Sequence, residues 1–165
     1  GGLSTWTAAG YSLQTGMAKN TPRNFSGSPQ LDMVVTTSEM EGLINRPTLM
    51  IDARAPERYR GEIEPLDPVA GHIPGALNRF HQLNLDPSGL LLPTEDLKEA
   101  FTQLLVGTSP YQAVVYCGSG VTPCHHLLAM AAAGLPMARL YAGSWSEWIQ
   151  NPGHPIASGE SLKTD

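Results

Sequence analysis

The stretch AVVYCGSGVTPCHH, Ala113 to His126, passes from an unbroken apolar run into a helix-forming one through two glycines. Ala113 to Tyr116 is short, β-branched and free of polar alternation, the pattern of a strand buried on both faces. From Pro123 to Ala133 the spacing becomes helical, with proline in the first turn and Gly134 as a C-cap. Strand, tight turn and helix make half of a βαβ unit, which implies an α/β fold: a mainly parallel, open sheet with helices on both faces.

Working outward, the alternation recurs. LDMVV (31–35) reads as a short strand and TTSEMEGLIN (36–45) as a helix capped by Thr37 or Ser38, with Met40, Leu43 and Ile44 on one side. TLMIDA (48–53) is a second buried strand, and RAPERYRG (54–61) starts a helical turn. A loop punctuated by Pro and Gly, EIEPLDPVAGHIPGALN, then enters a brief strand at Ala76 to Asn78. Thr94 caps a helix that runs to about Leu105, with Leu97, Ala100, Phe101, Leu104 and Leu105 inward. ARLY (138–141) is the last strand.

The 165 residues, 41% hydrophobic, suffice for one core. A net charge of −5 with no like-charge block argues against a nucleic-acid partner. The longest apolar stretch, Leu127 to Leu135, is too short to span a membrane, and no basic-then-apolar leader is visible. Two cysteines cannot form a disulfide framework, so a reduced, cytoplasmic setting is expected. GGLSTWTAAG at the start shares its layout with GSWSEWIQNPG near the end: Gly1 aligns with Gly143, Trp6 with Trp148, and Gly10 with Gly153 after one insertion. Residues 1–14 therefore read as the tail end of a preceding domain of the same kind and 15–30 as linker. Residues 31–158 form a whole domain, with 159–165 as a C-terminal tail.

Two strand ends carry reactive side chains, at the edge where open α/β sheets bind ligands. After the first of them, Gly118 and Gly120 let the backbone curl so that successive N–H groups point inward, and the next helix adds the positive end of its dipole. Such a nest favours the thiolate of Cys117, and Ser119 and Thr122 add hydroxyl donors. Cys117 can equally be a small hydrophobe ending a buried strand. Arg54 and Arg58, four apart, would share a face on a helical turn and present two cationic forks, or be a solvated surface pair. Asp52 reads as a backbone-orienting carboxylate. Phosphoryl transfer through a cysteine needs an Arg six positions on, where this chain has Pro123. Zinc needs paired short spacings that Cys117, Cys124, His125 and His126 do not offer, so no metal is expected; Cys124 is expected against the sheet.

With these residues assembled, the chain resembles the rhodanese superfamily, specifically the second half of two-domain sulfurtransferases of the thiosulfate and 3-mercaptopyruvate type. The resemblance rests on LMIDAR with Arg58, AGHIPGALN (70–78), VVYCGSGVT and LYAGSWSEW. It implies a cofactor-free persulfide mechanism. Cys117 would take the outer sulfur of a small donor and yield it to a thiol, cyanide or a thioredoxin-like reductant. Cys117 to Thr122, including Gly118, Ser119, Gly120 and Val121, would form the sulfur-sized cradle, with Arg58 and Arg54 as substrate binders and His72 a turn residue. Relatives that prefer thiosulfate carry Arg and Lys where this chain has Gly118 and Ser119, so 3-mercaptopyruvate is the expected donor. Animal enzymes place a second arginine where this chain offers Leu66 or Asp67; Arg54 or Arg60 would compensate. The resemblance also makes the N-terminal rhodanese domain of the same protein a partner. The alternative it allows is a sulfur-carrier or regulatory module without efficient turnover.

Overall fold

The computed structural model describes residues 1–160. Five strands, β1 (Val34–Val35), β2 (Met50–Asp52), β3 (Leu77–Asn78), β4 (Val114–Tyr116) and β5 (Arg139–Tyr141), form one sheet in the order β1-β5-β4-β2-β3. Every pair is parallel, with Ile51 opposite Leu77 and Val115, and Val115 opposite Leu140. The helices are α1 (Gly2–Ala8), α2 (Thr37–Leu43), α3 (Pro56–Tyr59), α4 (Thr94–Leu105), α5 (Pro123–Ala132) and α6 (Ser144–Trp148).

Side chains of a strand alternate between faces, so each buried strand feeds two cores. Met50, Val114 and Tyr116 point to one side, where Met40 of α2, Tyr59 of α3 and Trp145 and Trp148 of α6 cover them. Ile51 and Val115 point to the other, under Leu97, Phe101 and Leu105 of α4 and Ala129 and Met130 of α5. This is the expected α/β architecture with both faces covered. No helix among the described residues is long and apolar enough to cross a membrane.

Element boundaries differ from expectation where capping chemistry decides them. Leu31–Met33 is a 3-10 turn, and only Val34 and Val35 pair with the sheet. The cap of α2 is Thr36 rather than Thr37 or Ser38, because Thr36 and Glu39 close a reciprocal capping box. Thr94 is the first helical residue of α4, preceded by Pro93, and makes no cap hydrogen bond. Gly134, at φ +69°, ends α5: its N–H reaches the Ala131 carbonyl and Leu135 N–H that of Met130.

The aligned segments α1 and α6 share local detail. Trp6 Nε1 donates to the Ser12 carbonyl (3.1 Å) and Trp148 Nε1 to that of Pro155 (3.0 Å). Each indole packs on a following ring, Tyr11 at 4.5 Å and His154 at 4.0 Å between centroids. Trp148 is fully buried, whereas Trp6 is half exposed and no residue of α1 is buried. Residues 15–30 hold no helix or strand and are exposed throughout. Of the expected C-terminal tail, 161–165 lie outside the described residues.

Candidate active site

Asp52 and Tyr116 pair across the two central strands, β2 and β4. From there the chain proceeds outward in opposite directions, to β3 and to β5. Such a switch point opens a crevice at the strand C-termini, and Cys117 is the next residue out of β4. Its side chain is buried at a cavity of about 300 Å³ that Arg58, Leu66, Asp67, Gly118, Ser119, Thr122 and Ser146 also line. A larger hollow of about 550 Å³ lies outside β3, between Pro56, Leu77, Leu104 and Glu160; no thiol lines it.

What aims the loop at the thiol is the first turn of α6. Trp145 N–H donates to the Cys117 carbonyl (3.0 Å) and Ser146 N–H to the Gly118 carbonyl (2.8 Å). Ser144 Oγ, fully buried, accepts from Cys117 N–H (3.1 Å) and donates to the Tyr141 carbonyl (2.9 Å). In a trans peptide N–H points opposite to C=O. With the carbonyls of 117 and 118 held against α6, the N–H groups of Gly118 and Ser119 face the other way, into the loop. The N–H groups of Gly118, Ser119, Gly120, Val121 and Thr122 donate to no acceptor among the described residues. Five consecutive free donors beside a thiol, at the start of a ten-residue helix, form a nest for an anion. Gly120 sits at φ +81°, and a Cβ there would overlap the Ala142 carbonyl oxygen, so only glycine fits.

Arg58 closes the cavity on the β2 side. Its Nε and Nη2 grip Glu64 (3.1 and 2.6 Å), and Nη2 also reaches Asp67 Oδ2 (3.2 Å). Glu64 accepts in addition from the N–H groups of Leu66 and Asp67 (3.1 and 3.2 Å). Burial opposes its charge, but the Arg58 hydrogen bond and those two N–H groups prevail and its pKa lies below the ordinary glutamate value. Asp67 Oδ1 accepts from Ser146 Oγ (2.7 Å), which lies equally near the Gly118 carbonyl.

Arg54, expected as a substrate binder, is not one in this geometry. It is 3% exposed, pairs with Asp52 (2.7 Å) and Glu64 (3.2 Å), donates to the Gly71 carbonyl and packs over Trp145. Burial disfavours its charge, yet the Asp52 bonds outweigh that and raise its pKa. Arg60 pairs with Glu62 and Glu160 at the surface, away from the cavity. Gly120 and Val121 do not line the cavity, and Val121 is exposed. Cys124 is exposed rather than packed against the sheet, its Sγ 3.5 Å from the Gly120 carbonyl. His72 is buried, stacked on Tyr59 and bonded through Nδ1 to the Tyr59 carbonyl (2.7 Å). Asp52 Oδ1 accepts from Arg54 N–H, as its backbone-orienting reading requires. No group of three or more His, Cys, Asp or Glu among the described residues could hold a metal ion.

Sequence reasoning missed Ser144, Ser146 and Glu64. The signal for the serines was the Gly143-Ser-Trp-Ser146 run shortly after a parallel strand neighbouring the one that leads into Cys117.

The profile of the rhodanese-like domain matches residues 36–151. A probable 3-mercaptopyruvate sulfurtransferase of Pseudomonas aeruginosa is 47% identical over 161 residues, 97% of this chain and 57% of that protein. A putative thiosulfate sulfurtransferase of Mycobacterium tuberculosis is 36% identical over 96% of the chain and 56% of that protein. The human 3-mercaptopyruvate sulfurtransferase is 35% identical, over 90% and 50%. The chain thus spans about half the length of the curated relatives it matches. Among solved structures, an anaerobic ergothioneine biosynthesis enzyme from Chlorobium limicola superposes with a TM-score of 0.80 at 21% identity, over 96% of this chain and 40% of that one. With a matching profile that spans strands β2 to β5 and the cysteine loop, the chain belongs to the family of rhodanese-like domains.

Proposed function

We propose that this domain is the catalytic part of a sulfurtransferase that carries sulfur on Cys117, with 3-mercaptopyruvate as the favoured donor. The observation that carries the reading is the row of five free N–H groups that directly follows a buried thiol lining the cavity. The Cys117 thiolate attacks the donor sulfur; an S–S bond forms, the C–S bond breaks, and the leaving enolate takes a proton to become pyruvate. The persulfide's outer sulfur then passes to an attacking thiolate, cyanide or a thioredoxin-like reductant, and Cys117 returns as thiolate. The cradle N–H groups hold the negative charge on the sulfur at both stages, and Arg58 Nη1 serves the donor's carboxylate. Ser119 and Thr122 supply hydroxyls at the cavity wall.

Residues 1–14 belong, in this reading, to the end of a preceding domain of the same kind, 15–30 link the two, and 31–158 are the catalytic domain. The shared indole and ring contacts of α1 and α6 support it. Both cysteines are free thiols, which suits a reducing cytoplasm.

The test is mass spectrometry of the full-length protein after incubation with 3-mercaptopyruvate or thiosulfate. The Cys117 peptide gains one sulfur atom, and Cys117→Ser gains none. A wild-type protein unmodified by both donors overturns the reading.

A further inference from the structure

Among the described residues one full cation, Arg58, lines the cavity, and all but one of its nitrogens are engaged. The Nε edge and part of Nη2 are taken by Glu64, and the rest of Nη2 leans on Asp67. Nη1 donates to no acceptor among the described residues, and it lies at the cradle: a Cβ on Gly118 would be 3.5 Å from Nη1 and 3.3 Å from Nη2. Asp67 stands on the same wall, in the cavity that Cys117 opens into. Both of its oxygens are held, Oδ2 by Arg58 and Oδ1 by Ser146 Oγ, so it cannot turn away without losing two hydrogen bonds. Glu64 is already shared between Arg58 and Arg54, and Arg54 is itself paired with Asp52. Among the described residues the charged side chains that line the cavity, Arg58 and Asp67, therefore sum to zero, and attraction for an anion is left to Arg58 Nη1 and the backbone N–H groups.

We propose that Asp67 is the specificity-determining residue of this site, a fixed negative charge that limits the sulfur donor to a single negative charge. This rests on the sulfurtransferase reading for its substrates, but not for its electrostatics. A monoanion places its carboxylate on Arg58 Nη1 and meets a neutral wall. A dianion brings a second charge that no cation matches and that Asp67 repels. Asp67 is a positioning and repelling group; it takes no part in bond making.

Removing the charge has a consequence with a definite form. Coulomb energy is proportional to the charge on the incoming molecule, so the gain for a dianion is the square of the gain for a monoanion. With one charge at partly screened cavity range, Asp67→Asn should raise kcat/KM about threefold for 3-mercaptopyruvate and about tenfold for thiosulfate. The electrostatics are read independently by alkylation of Cys117, with neutral iodoacetamide and anionic iodoacetate, in the full-length protein. The product is followed on the Cys117 peptide so that the exposed Cys124 does not contribute. Asp67→Asn changes the iodoacetamide rate only through the thiolate fraction, which both reagents share, and should raise the iodoacetate-to-iodoacetamide ratio about threefold. Asp67→Ser should reproduce the shift, which excludes a special effect of the new amide. Ser146→Ala, which keeps the charge but removes the hydroxyl between Asp67 and the Gly118 carbonyl while leaving the Ser146 N–H bond to that carbonyl in place, should slow all reagents alike and leave their ratios unchanged.

An iodoacetate-to-iodoacetamide ratio that is the same in wild type and both Asp67 variants overturns the proposal. So does equal gain for the two sulfur donors. If no donor ever loads sulfur yet the alkylation ratio shifts, the function is wrong and the role of Asp67 as the charge seen by Cys117 stands.

Discussion

Gly120→Ala tests whether the cradle depends on close contact with the β5–α6 connection. Two effects add. Alanine at φ +81° is in the left-handed region, which costs an L-residue about 1 kcal/mol. The new Cβ also meets the Ala142 carbonyl oxygen, a backbone atom that no rotamer change can move aside. Restoring an ordinary carbon–oxygen separation requires the loop and the connection to part by about 1 Å. The Trp145 N–H to Cys117 and Ser146 N–H to Gly118 hydrogen bonds, at 3.0 and 2.8 Å, cross this gap and lengthen past useful range. Each contributes about 1 kcal/mol net, so the total is about 3 kcal/mol, a loss a domain of ordinary stability survives. Gly159→Ala provides the control: the same φ of +81°, nothing within 4 Å of the new Cβ, and so only the conformational part, about 1 kcal/mol. Urea unfolding of both variants measures the difference, and single-turnover sulfur loading of the folded Gly120→Ala protein should fall at least about tenfold because the N–H groups no longer converge. Equal destabilisation by the two substitutions, with loading intact, would refute the reasoning.

Stability should decline in mild acid. His126 is fully buried, accepts or donates at Asn84 (2.9 Å) and the Arg79 carbonyl (2.8 Å), and burial depresses its pKa to about 4. A folded value below the unfolded 6.5 means that its full contribution is present above that pH and is lost as pH falls toward 4, up to about 3 kcal/mol; urea midpoints at pH 7 and pH 5 measure it, and His126→Gln should flatten the slope. His72 and His125 shift in the same direction, through burial. Replacing Gly118 by Arg and Ser119 by Lys together should move donor preference toward thiosulfate by about tenfold, since two cations then face the wall that Asp67 occupies; an unchanged kcat/KM ratio would show that loop charge does not set preference.

What could be read along the chain depended on range. Residues 114–116 and 50–52 show their burial on both faces directly, as runs without polar alternation, and the glycines after Tyr116 announce a curled loop. The cap of α2 was also there to be read: Thr36 stands three before Glu39, and weighing that pair would have put the boundary one residue earlier. Arg54 and Arg58 were treated as one helical face, but α3 begins at Pro56, so Arg54 precedes the helix and turns inward to Asp52. Cys124 fails for a matter of phase. The buried positions of α5 are Pro123, His126, Ala129 and Met130, and Cys124 is on the opposite side. The partners of the cysteine loop were out of reach for a different reason. Asp67 comes from the connection after β2 and Ser144 and Ser146 from α6, which follows β5, and only the strand order β5-β4-β2 brings them beside the loop after β4. Local pattern reveals which strands are buried, not which are neighbours.

The arrangement separates two tasks that a cationic site would merge. A thiolate stabilised by an arginine would attract anions in proportion to their charge and would weaken with salt. Here the cations beside the loop are already matched by carboxylates, Arg54 by Asp52 and Arg58 by Glu64 and Asp67. On the proposed function, stabilisation of the sulfur anion falls to the free peptide N–H groups of residues 118–122, in a loop that α6 holds in place before any donor arrives. Dipoles fall off faster with distance than charges, so they act on the sulfur at the floor and barely on the rest of a donor. In that reading, recognition of the donor's remaining charge falls to Arg58 Nη1 and Asp67. On this account nucleophilicity belongs to the backbone of residues 118–122 and selectivity to two side chains, which is why the one can be altered by Gly120→Ala and the other by Asp67→Asn.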